Sequence, residues 1–390
     1  MPPQEYIPYA LHYLDDADIQ SVTDALSSGN ITRGRHVEAF ESSIAEYCGV
    51  SYAVAFNNGS AALQAAYYAA SITEYDKVIT TPNTFAATAT MAIRSGGPFP
   101  TFVDIDDATG NISLDGIADA LSYPLSRGKR IIVPVHFAGI PVDMRRLSSM
   151  ILSPDDIVIE DASHAFGAYH HEGGPRVGSC EYSDMAIFSF HPAKTITTGE
   201  GGMVTTNDKA FAEKLRLFRN NGIVKDVADA PGPWYYEVLD ATGNYHMTDI
   251  HAALGSSQLN KVDTFIGKRK ELVAHYCKEL EGTKGLSIVG TPSDATVAPH
   301  LFVVKIDFEG CKTTRKAVME ALDAEGIGTQ VLYIPLYRQP YFKNNMGDIS
   351  EHFPNTERYY SQALALPLHY AMGKDNVSRI CCAVKKVLGR

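Results

Sequence analysis

The stretch DMAIFSFHPAKTITTGEGGMVTTN, Asp184 to Asn207, sets two short apolar runs around a polar loop. Both runs, DMAIFSF and GMVTTN, read as strands, because short continuous apolar segments are what a sheet buried on both faces requires. Between them stand Ser189 at a strand end, His191, a single lysine, Lys194, and a Gly-Glu-Gly-Gly turn. A loop lysine is ordinarily a solvated surface charge. A lysine that a buried strand delivers among small and hydroxylated neighbours sheds its proton more readily and becomes a nucleophile toward carbonyls.

The same grammar extends upstream. SYAVAF, KVITT, FPTFVDID, RIIVPVHF and DIVIEDAS read as strands. SAALQAAYYAA, FAATATMAIRSG, LDGIADAL and DMRRLSSMIL read as the helices between them. This alternation, from about residue 50 to 210, predicts an α/β fold with a mostly parallel sheet covered on both faces. Two helices precede it, DADIQSVTDALSSG and HVEAFESSIAEYCG, each stopped by a glycine. After it come the helix AFAEKLRLFRNNG, the irregular Pro/Gly-rich DAPGPWYYEVLDATGNYHMTD, and IHAALGSSQLNKVDTFIGKRKELVAHYCKELEG, one long helix or a broken pair. From about 290 the pattern becomes strand LFVVKIDF, helix TRKAVMEALDAEGI, strand TQVLYIPL and helix NVSRICCAVKKVLG, a smaller α+β unit. The expected division is a large domain with an N-terminal arm over 1–260, then a linking helix and small domain over 261–390.

Composition narrows the partners. Lys plus Arg is 34 and Asp plus Glu is 45, a net charge of −11, with no basic run for a phosphate polymer. Nucleic acid is not expected. The N-terminus, MPPQEYIPYALHYLDDAD, lacks a basic region followed by an apolar core, so no signal peptide is expected. No apolar stretch reaches about 18 residues, so no membrane span is expected. The six scattered cysteines (Cys48, Cys180, Cys277, Cys311, Cys381 and Cys382) form no C-x-x-C pair and suggest a reducing cytoplasm.

The chemistry gathers at strand ends. Asp161, in VIEDASHAFG, closes an apolar strand, where an open α/β sheet keeps its ligand crevice. The plainer reading is a helix N-cap. In FNNGSAALQAA a strand ends at Asn57-Asn58-Gly59 and Ser60 opens a helix, so free backbone N–H groups and the positive helix end could cup a phosphate. An ordinary cap with a glycine turn would look the same. Phe85, in TTPNTFAATA, lies just past another strand end and could cover a flat ring or belong to the core. Ser189 could donate to a phosphate. Together a phosphate cup, an aromatic lid, a carboxylate and a lysine are what pyridoxal 5'-phosphate requires: an anion site, a stacking face, a partner keeping the pyridine nitrogen protonated, and an amine for the aldehyde. The displaced lysine then moves the proton. A nicotinamide enzyme would need G-x-G-x-x-G after a strand, which FNNGSA does not supply.

The chain resembles the DegT/DnrJ/EryC1/StrS sugar aminotransferases, fold-type I enzymes that use pyridoxal phosphate. The resemblance runs nearly end to end, through ITRGRHVEAFE, NNGSAAL, TTPNTFAATA, VPVHFAG, EDASHAFGA, FSFHPAKTITTGEGG, LRLFRNNG, GNYHMTDIHAALGSSQL and LYIPLY. It implies that Lys194 forms the Schiff base, Asp161 pairs with the pyridine nitrogen, His164 faces the ring oxygen and Phe85 stacks on the ring. Gly59, Ser60 and Ser189 would hold the phosphate. Asn244, in GNYHM, would reach it from the other subunit of a homodimer with shared sites; several relatives carry Arg where this chain has His246.

The implied reaction is amination at C4 of a nucleotide-linked 4-keto-6-deoxy sugar, with glutamate as donor. The His191-Pro192 form of the lysine block resembles the pseudaminic acid branch, whose sugar is a UDP-linked N-acetylated hexose. A GDP-linked or 3-keto sugar is the runner-up. His191 is read as a substrate-side residue. Arg33, Arg35 and Arg338 are candidates for the diphosphate, against a plain surface role for each. Tyr333 and Tyr337 are candidates to stack on sugar or base. Dehydratase relatives replace the lysine by His, and a regulator that only binds would need neither Asp161 nor Lys194.

Overall fold

The computed structural model describes residues 6–389 except 152, 292, 293 and 295. Two helices come first, α1 (Asp16–Ser27) and α2 (Arg35–Cys48). The seven strands that follow are β1 (Tyr52–Phe56), β2 (Lys77–Thr80), β3 (Thr101–Phe102), β4 (Arg130–Val133), β5 (Ile157–Asp161), β6 (Met185–Ser189) and β7 (Gly202–Thr206). They form one sheet in the order β1-β7-β6-β5-β4-β2-β3. All pairs are parallel except those of β7, which runs against both β1 and β6. The helices of this block are α3 (Gly59–Ala69), α4 (Ala86–Arg94), α5 (Leu114–Ser122), α6 (Met144–Met150) and α7 (Lys209–Arg219).

One face of the sheet buries Val54, Phe56, Ile131, Val133, Ile159 and Ile187 against the alanines of α3. Small side chains on that face let the helix lie close to the strands, which fixes where its first turn points. The opposite face packs Phe188, Phe190 and Met203 on Phe40 and Ile44 of α2 and on Phe265. Strand registers place Ser189 opposite Gly202, and Gly202 opposite Phe56, so three strand ends that carry site residues meet in one row.

Beyond α7 a two-strand ladder, β8 (Ile223–Val224) with β9 (Glu237–Val238), occupies the Pro/Gly-rich segment. The predicted long helix is a broken pair, α8 (Asp249–Leu259) and α9 (Val262–Leu280). The break is held by Lys261, whose amine reaches Asp15 at 2.8 Å and the buried Asp18 at 2.7 Å at the start of α1. Strands β10 (Leu286–Ile288), β11 (Phe302–Ile306) and β12 (Ala363–Leu366) make an antiparallel sheet in that order. With α9, α10 (Arg315–Ala324) and α13 (Lys374–Val387) they enclose a core of Leu272, Tyr276, Phe302, Val304, Leu366 and Ile380. Two short helices complete the chain, α11 (Pro340–Met346) and α12 (Pro354–Gln362).

Two strand expectations change. FPTFVDID yields only the two residues of β3. TQVLYIPL is not a strand: Gln330 makes one isolated bridge to Ala365 and the backbone then leaves the sheet. Its donors go elsewhere. Tyr333 N–H donates to the Asn83 side chain at 3.2 Å and Leu336 N–H to the Pro82 carbonyl at 3.0 Å, while Pro335 has no donor to offer. The segment is thereby pinned to the loop between β2 and α4, at the rim of the cavity described next.

Candidate functional site

A cavity of about 480 Å³ opens where the carboxyl ends of β1, β2, β5 and β6 converge. That volume lies within the roughly 300–1,000 Å³ range of cofactor pockets. Asp161 ends β5 and is 4% exposed. No helix starts behind it, so it is not a helix N-cap. Its carboxylate accepts from the Thr88 hydroxyl at 2.7 Å and from Ser163 N–H at 3.2 Å, and the Thr84 and Thr88 hydroxyls are 2.8 Å apart. Two donors hold the carboxylate in one orientation.

The first turn of α3 forms the floor. Asn58 caps it conventionally, accepting from Ala61 N–H at 2.8 Å, which leaves the N–H groups of Gly59 and Ser60 aimed at the cavity mouth. Glycine is required twice by space. A Cβ at Gly59 would stand 3.0 Å from the Ser189 Cβ, and one at Gly202 would stand 2.4 Å from the Asn58 carbonyl oxygen. Ser189 is thus brought against the helix end, and a cradle for an anion forms between them.

Lys194 lines the same cavity as Asp161 from the loop after β6, its backbone N–H donating to the His191 carbonyl at 2.8 Å. Its amine titrates at about 8, lowered from 10.5 by loss of hydration, with the Asp161 charge pulling partly the other way. About a tenth of the amine is therefore free at pH 7, against well under a thousandth for an ordinary lysine. His164 is buried, and burial plus the Lys194 charge push its pKa well below the usual value, so the ring is neutral. Phe85 is 61% exposed and lines the cavity with Tyr333, their ring centroids 6.4 Å apart; it is not core. His191 is exposed and lines the same cavity.

The other candidates lie elsewhere. Tyr337 is buried, and its hydroxyl donates to Glu357 at 2.8 Å. Arg338 grips the same carboxylate with two nitrogens. Both side chains thus link to α12 through Glu357, and neither lines the cavity. Arg33 and Arg35 are exposed at the start of α2, beside backbone that Asp249 holds through Gly34 N–H at 2.7 Å and His36 N–H at 2.9 Å. Asn244 is exposed and accepts from His246 N–H at 3.2 Å. None of the three lines the cavity of its own chain. Arg33 does lie near the Asn244 segment: its charge helps burial and Arg219 lower His246 to about 4, and Thr32 bridges Thr248.

Sequence reasoning passed over Thr84 and Thr88. Their signal was a pair of hydroxyls four residues apart, straddling the start of a helix at a strand end, which puts both on one face.

The residues present fit pyridoxal phosphate: a helix end with free donors, a cradle that a Cβ would fill, a held carboxylate, an exposed aromatic lid and an amine of lowered pKa. Among the described residues no cluster of His, Cys, Asp and Glu is arranged to hold a metal ion.

Residues 12–385 match the DegT/DnrJ/EryC1/StrS aminotransferase family. The chain is 35% identical over 387 residues to the UDP-4-amino-4,6-dideoxy-N-acetyl-beta-L-altrosamine transaminase of Campylobacter jejuni, covering 97% of this chain and 99% of the relative. It superposes on Helicobacter pylori PseC, an aminotransferase of pseudoaminic acid biosynthesis, with a TM-score of 0.90 at 29% identity over 99% of this chain and 100% of that one. It superposes on the PLP-form of the sugar aminotransferase Spr1654 of Streptococcus pneumoniae with a TM-score of 0.88 at 25% identity, covering 98% and 99%. With the α/β sheet and the strand-end site, these place the chain in the DegT/DnrJ/EryC1/StrS aminotransferase family, as a sugar aminotransferase of fold-type I whose cofactor is pyridoxal phosphate.

Proposed function

We propose that the chain aminates C4 of a UDP-linked 4-keto-6-deoxy N-acetylated hexose with L-glutamate as donor, in the synthesis of pseudaminic acid or a related surface sugar. The observation that carries the site assignment is that Lys194 and Asp161 line one cavity together with Gly59 and Ser60 of the first turn of α3. The sugar rests on the similarity to the Campylobacter transaminase and to PseC.

In this reading Gly59 and Ser60 N–H and the Ser189 hydroxyl anchor the phosphate, and Phe85 covers the ring. Asp161, held by Thr88, keeps the ring nitrogen protonated. Bound pyridoxal phosphate supplies the electron sink. Lys194 would supply the amine that holds the aldehyde and, once freed by the incoming amine, would move a proton between the substrate's amino-bearing carbon and the cofactor's aldehyde carbon; a pKa near 8 suits both tasks. His191 stands on the substrate side.

We further propose a homodimer with shared sites. The β8–β9 hairpin exposes Trp234 (73%), Tyr236, Val238 and Leu239, more apolar surface than a lone hairpin keeps in water. Asn244 and Arg33 are exposed nearby in chain and space. Six free cysteines suit a reducing cytoplasm. The break at Asn260–Lys261 suits a boundary between units 1–260 and 261–390.

The test has two parts. Borohydride should fix the cofactor covalently to wild type and not to Lys194→Ala; fixation in the variant would refute the lysine assignment. UDP- and GDP-linked 4-keto sugars are then offered with glutamate, and 2-oxoglutarate is followed. Turnover of the GDP sugar alone, or amination at C3, would overturn the substrate and leave the aminotransferase intact.

A further inference from the structure

Tyr333 reaches the cavity from the segment that leaves the small sheet, and its hydroxyl oxygen is 3.0 Å from the His164 Nε2. The direction of that bond can be worked out. Ala138 N–H points at the His164 Nδ1 at 3.4 Å, so Nδ1 must be the acceptor nitrogen of the ring. The neutral imidazole then carries its proton on Nε2 and donates it to the Tyr333 oxygen. The phenol is left with its own O–H and, within the described residues, no acceptor in hydrogen-bond reach of it. Its ring is fixed. It lies 19° from parallel to His164, meets the edge of Phe137, and its backbone is pinned by Asn83. Burial and the neighbouring Tyr9 and Asp161 raise its pKa, so the proton stays on the oxygen. An oriented, unspent phenol donor therefore faces the cavity.

We propose that the Tyr333 hydroxyl donates a hydrogen bond to the phenolic oxygen of pyridoxal phosphate, and that His164 acts on the cofactor partly by holding that hydroxyl. This rests on the cofactor reading above. The cofactor's own bonding indicates which atom is met. The phosphate arm goes to the cradle, the ring nitrogen to Asp161 and the aldehyde carbon to Lys194. The phenolic oxygen lies on the remaining ring edge, between nitrogen and aldehyde carbon and away from the phosphate arm. His164 and Tyr333 line the cavity together with Asp161 and Lys194, whereas Tyr67 and His300, which feel the same charges, do not. A donor there stabilises the phenolate most when the lysine-linked nitrogen has lost its proton, because that nitrogen no longer shares one with the oxygen. The hydroxyl therefore lowers the pH at which the cofactor's visible band changes.

The experiment is a spectrophotometric pH titration of the coloured holoenzyme without substrate. Tyr333→Phe keeps the ring and removes the donor; its midpoint should rise by about one unit, as expected for losing one hydrogen bond to a charged oxygen. Tyr337→Phe, whose hydroxyl is spent on Glu357, should leave it unchanged. 3-Fluorotyrosine at 333, a stronger donor in an unaltered fold, should lower it and serves even where Tyr333→Phe folds poorly. A coloured Tyr333→Phe enzyme with the wild-type midpoint overturns the inference alone. So does a change confined to KM for the keto sugar, which would assign the hydroxyl to a substrate oxygen. A wild-type protein that never takes colour, or colour that survives as a covalent adduct in Lys194→Ala, sinks the cofactor reading and this inference with it.

Discussion

Replacing Gly202 by alanine should disable the phosphate cradle without touching any group that performs chemistry. An added Cβ would stand 2.4 Å from the Asn58 carbonyl oxygen, 2.6 Å from its carbon and 2.8 Å from Gly59 N. Something must withdraw by about 1 Å to restore ordinary van der Waals contact. The strand has little freedom to yield, since Gly202 is paired with Ser189 on one side and Phe56 on the other. The first turn of α3 must move instead, and with it the N–H groups of Gly59 and Ser60. Overpacking of this kind costs about 1–3 kcal/mol, and a displacement near 1 Å at a binding group costs up to roughly 100-fold. Titrating apoprotein with pyridoxal phosphate at its visible band should show affinity weakened by about 10- to 100-fold, with a modest fall in Tm. The matched control is Gly267→Ala, on the exposed side of α9, where a Cβ meets nothing within 4 Å; it should bind normally and gain about 0.5–1 kcal/mol of stability. Wild-type cofactor affinity in Gly202→Ala would refute the placement of the phosphate at this helix end.

Thr88→Val should lower kcat by roughly tenfold, because Asp161 loses a charge-assisted hydrogen bond worth about 1.5–3 kcal/mol; Thr88→Ser should restore it, and equal rates in all three would deny Thr88 its role. In apoprotein, amine-specific acylation of Lys194 should titrate with a midpoint near 8; a midpoint above about 10, the ordinary lysine value, would contradict the burial argument. The same shift fixes a sign. Between about 8 and 10.5 the unfolded chain holds more protons than the folded one, so apoprotein stability should rise with pH across that window. In Lys194→Met that rise should vanish and the variant should be more stable below pH 8; a wild-type profile in the variant would refute the cost. Mixing inactive Lys194 and Asn244 variants should regain activity through hybrid dimers, and no recovery despite subunit exchange would place Asn244 outside the site.

The sequence was most readable where one local rule was enough. Asp161, Gly59, Ser60, Phe85 and Lys194 each follow an apolar run that can only be a buried strand, and in a parallel sheet such ends share one edge. It was least readable where the partner is remote. TQVLYIPL has the apolar and β-branched content of a strand, yet its donors are taken by Pro82 and the Asn83 side chain some 250 positions earlier. Tyr337 and Arg338 looked available until Glu357, on a helix the pattern did not reveal, was seen to occupy both. Strand β12, ALAL, lies directly against the end of α12 and carries no alternation to mark it. Thr88 was hidden inside a helix, where its hydroxyl would ordinarily bond its own backbone.

One asymmetry of the cavity bears on where specificity is encoded. Among its lining residues Lys194 is the sole lysine or arginine, set against the carboxylates of Asp161 and Glu200. In the reading proposed above Lys194 serves the aldehyde, and the helix end the cofactor's phosphate. A nucleotide diphosphate adds two further phosphates, and their recognition calls for guanidinium or ammonium donors. Arg338 is consumed by Glu357. Arg33 and Arg35 are exposed and lie off the cavity, on the side of the molecule where the Asn244 segment is held. In this reading a single chain builds the cofactor half of the site from its own strand ends, save for the other subunit's Asn244 at the phosphate, and its cavity lining offers no Lys or Arg besides Lys194 for the diphosphate. In the homodimer proposed above, a second copy would bring its arginines to the open side. Cofactor binding would then depend mainly on residues within one chain, and nucleotide choice on residues at the contact between two, so the two properties can vary independently among related chains.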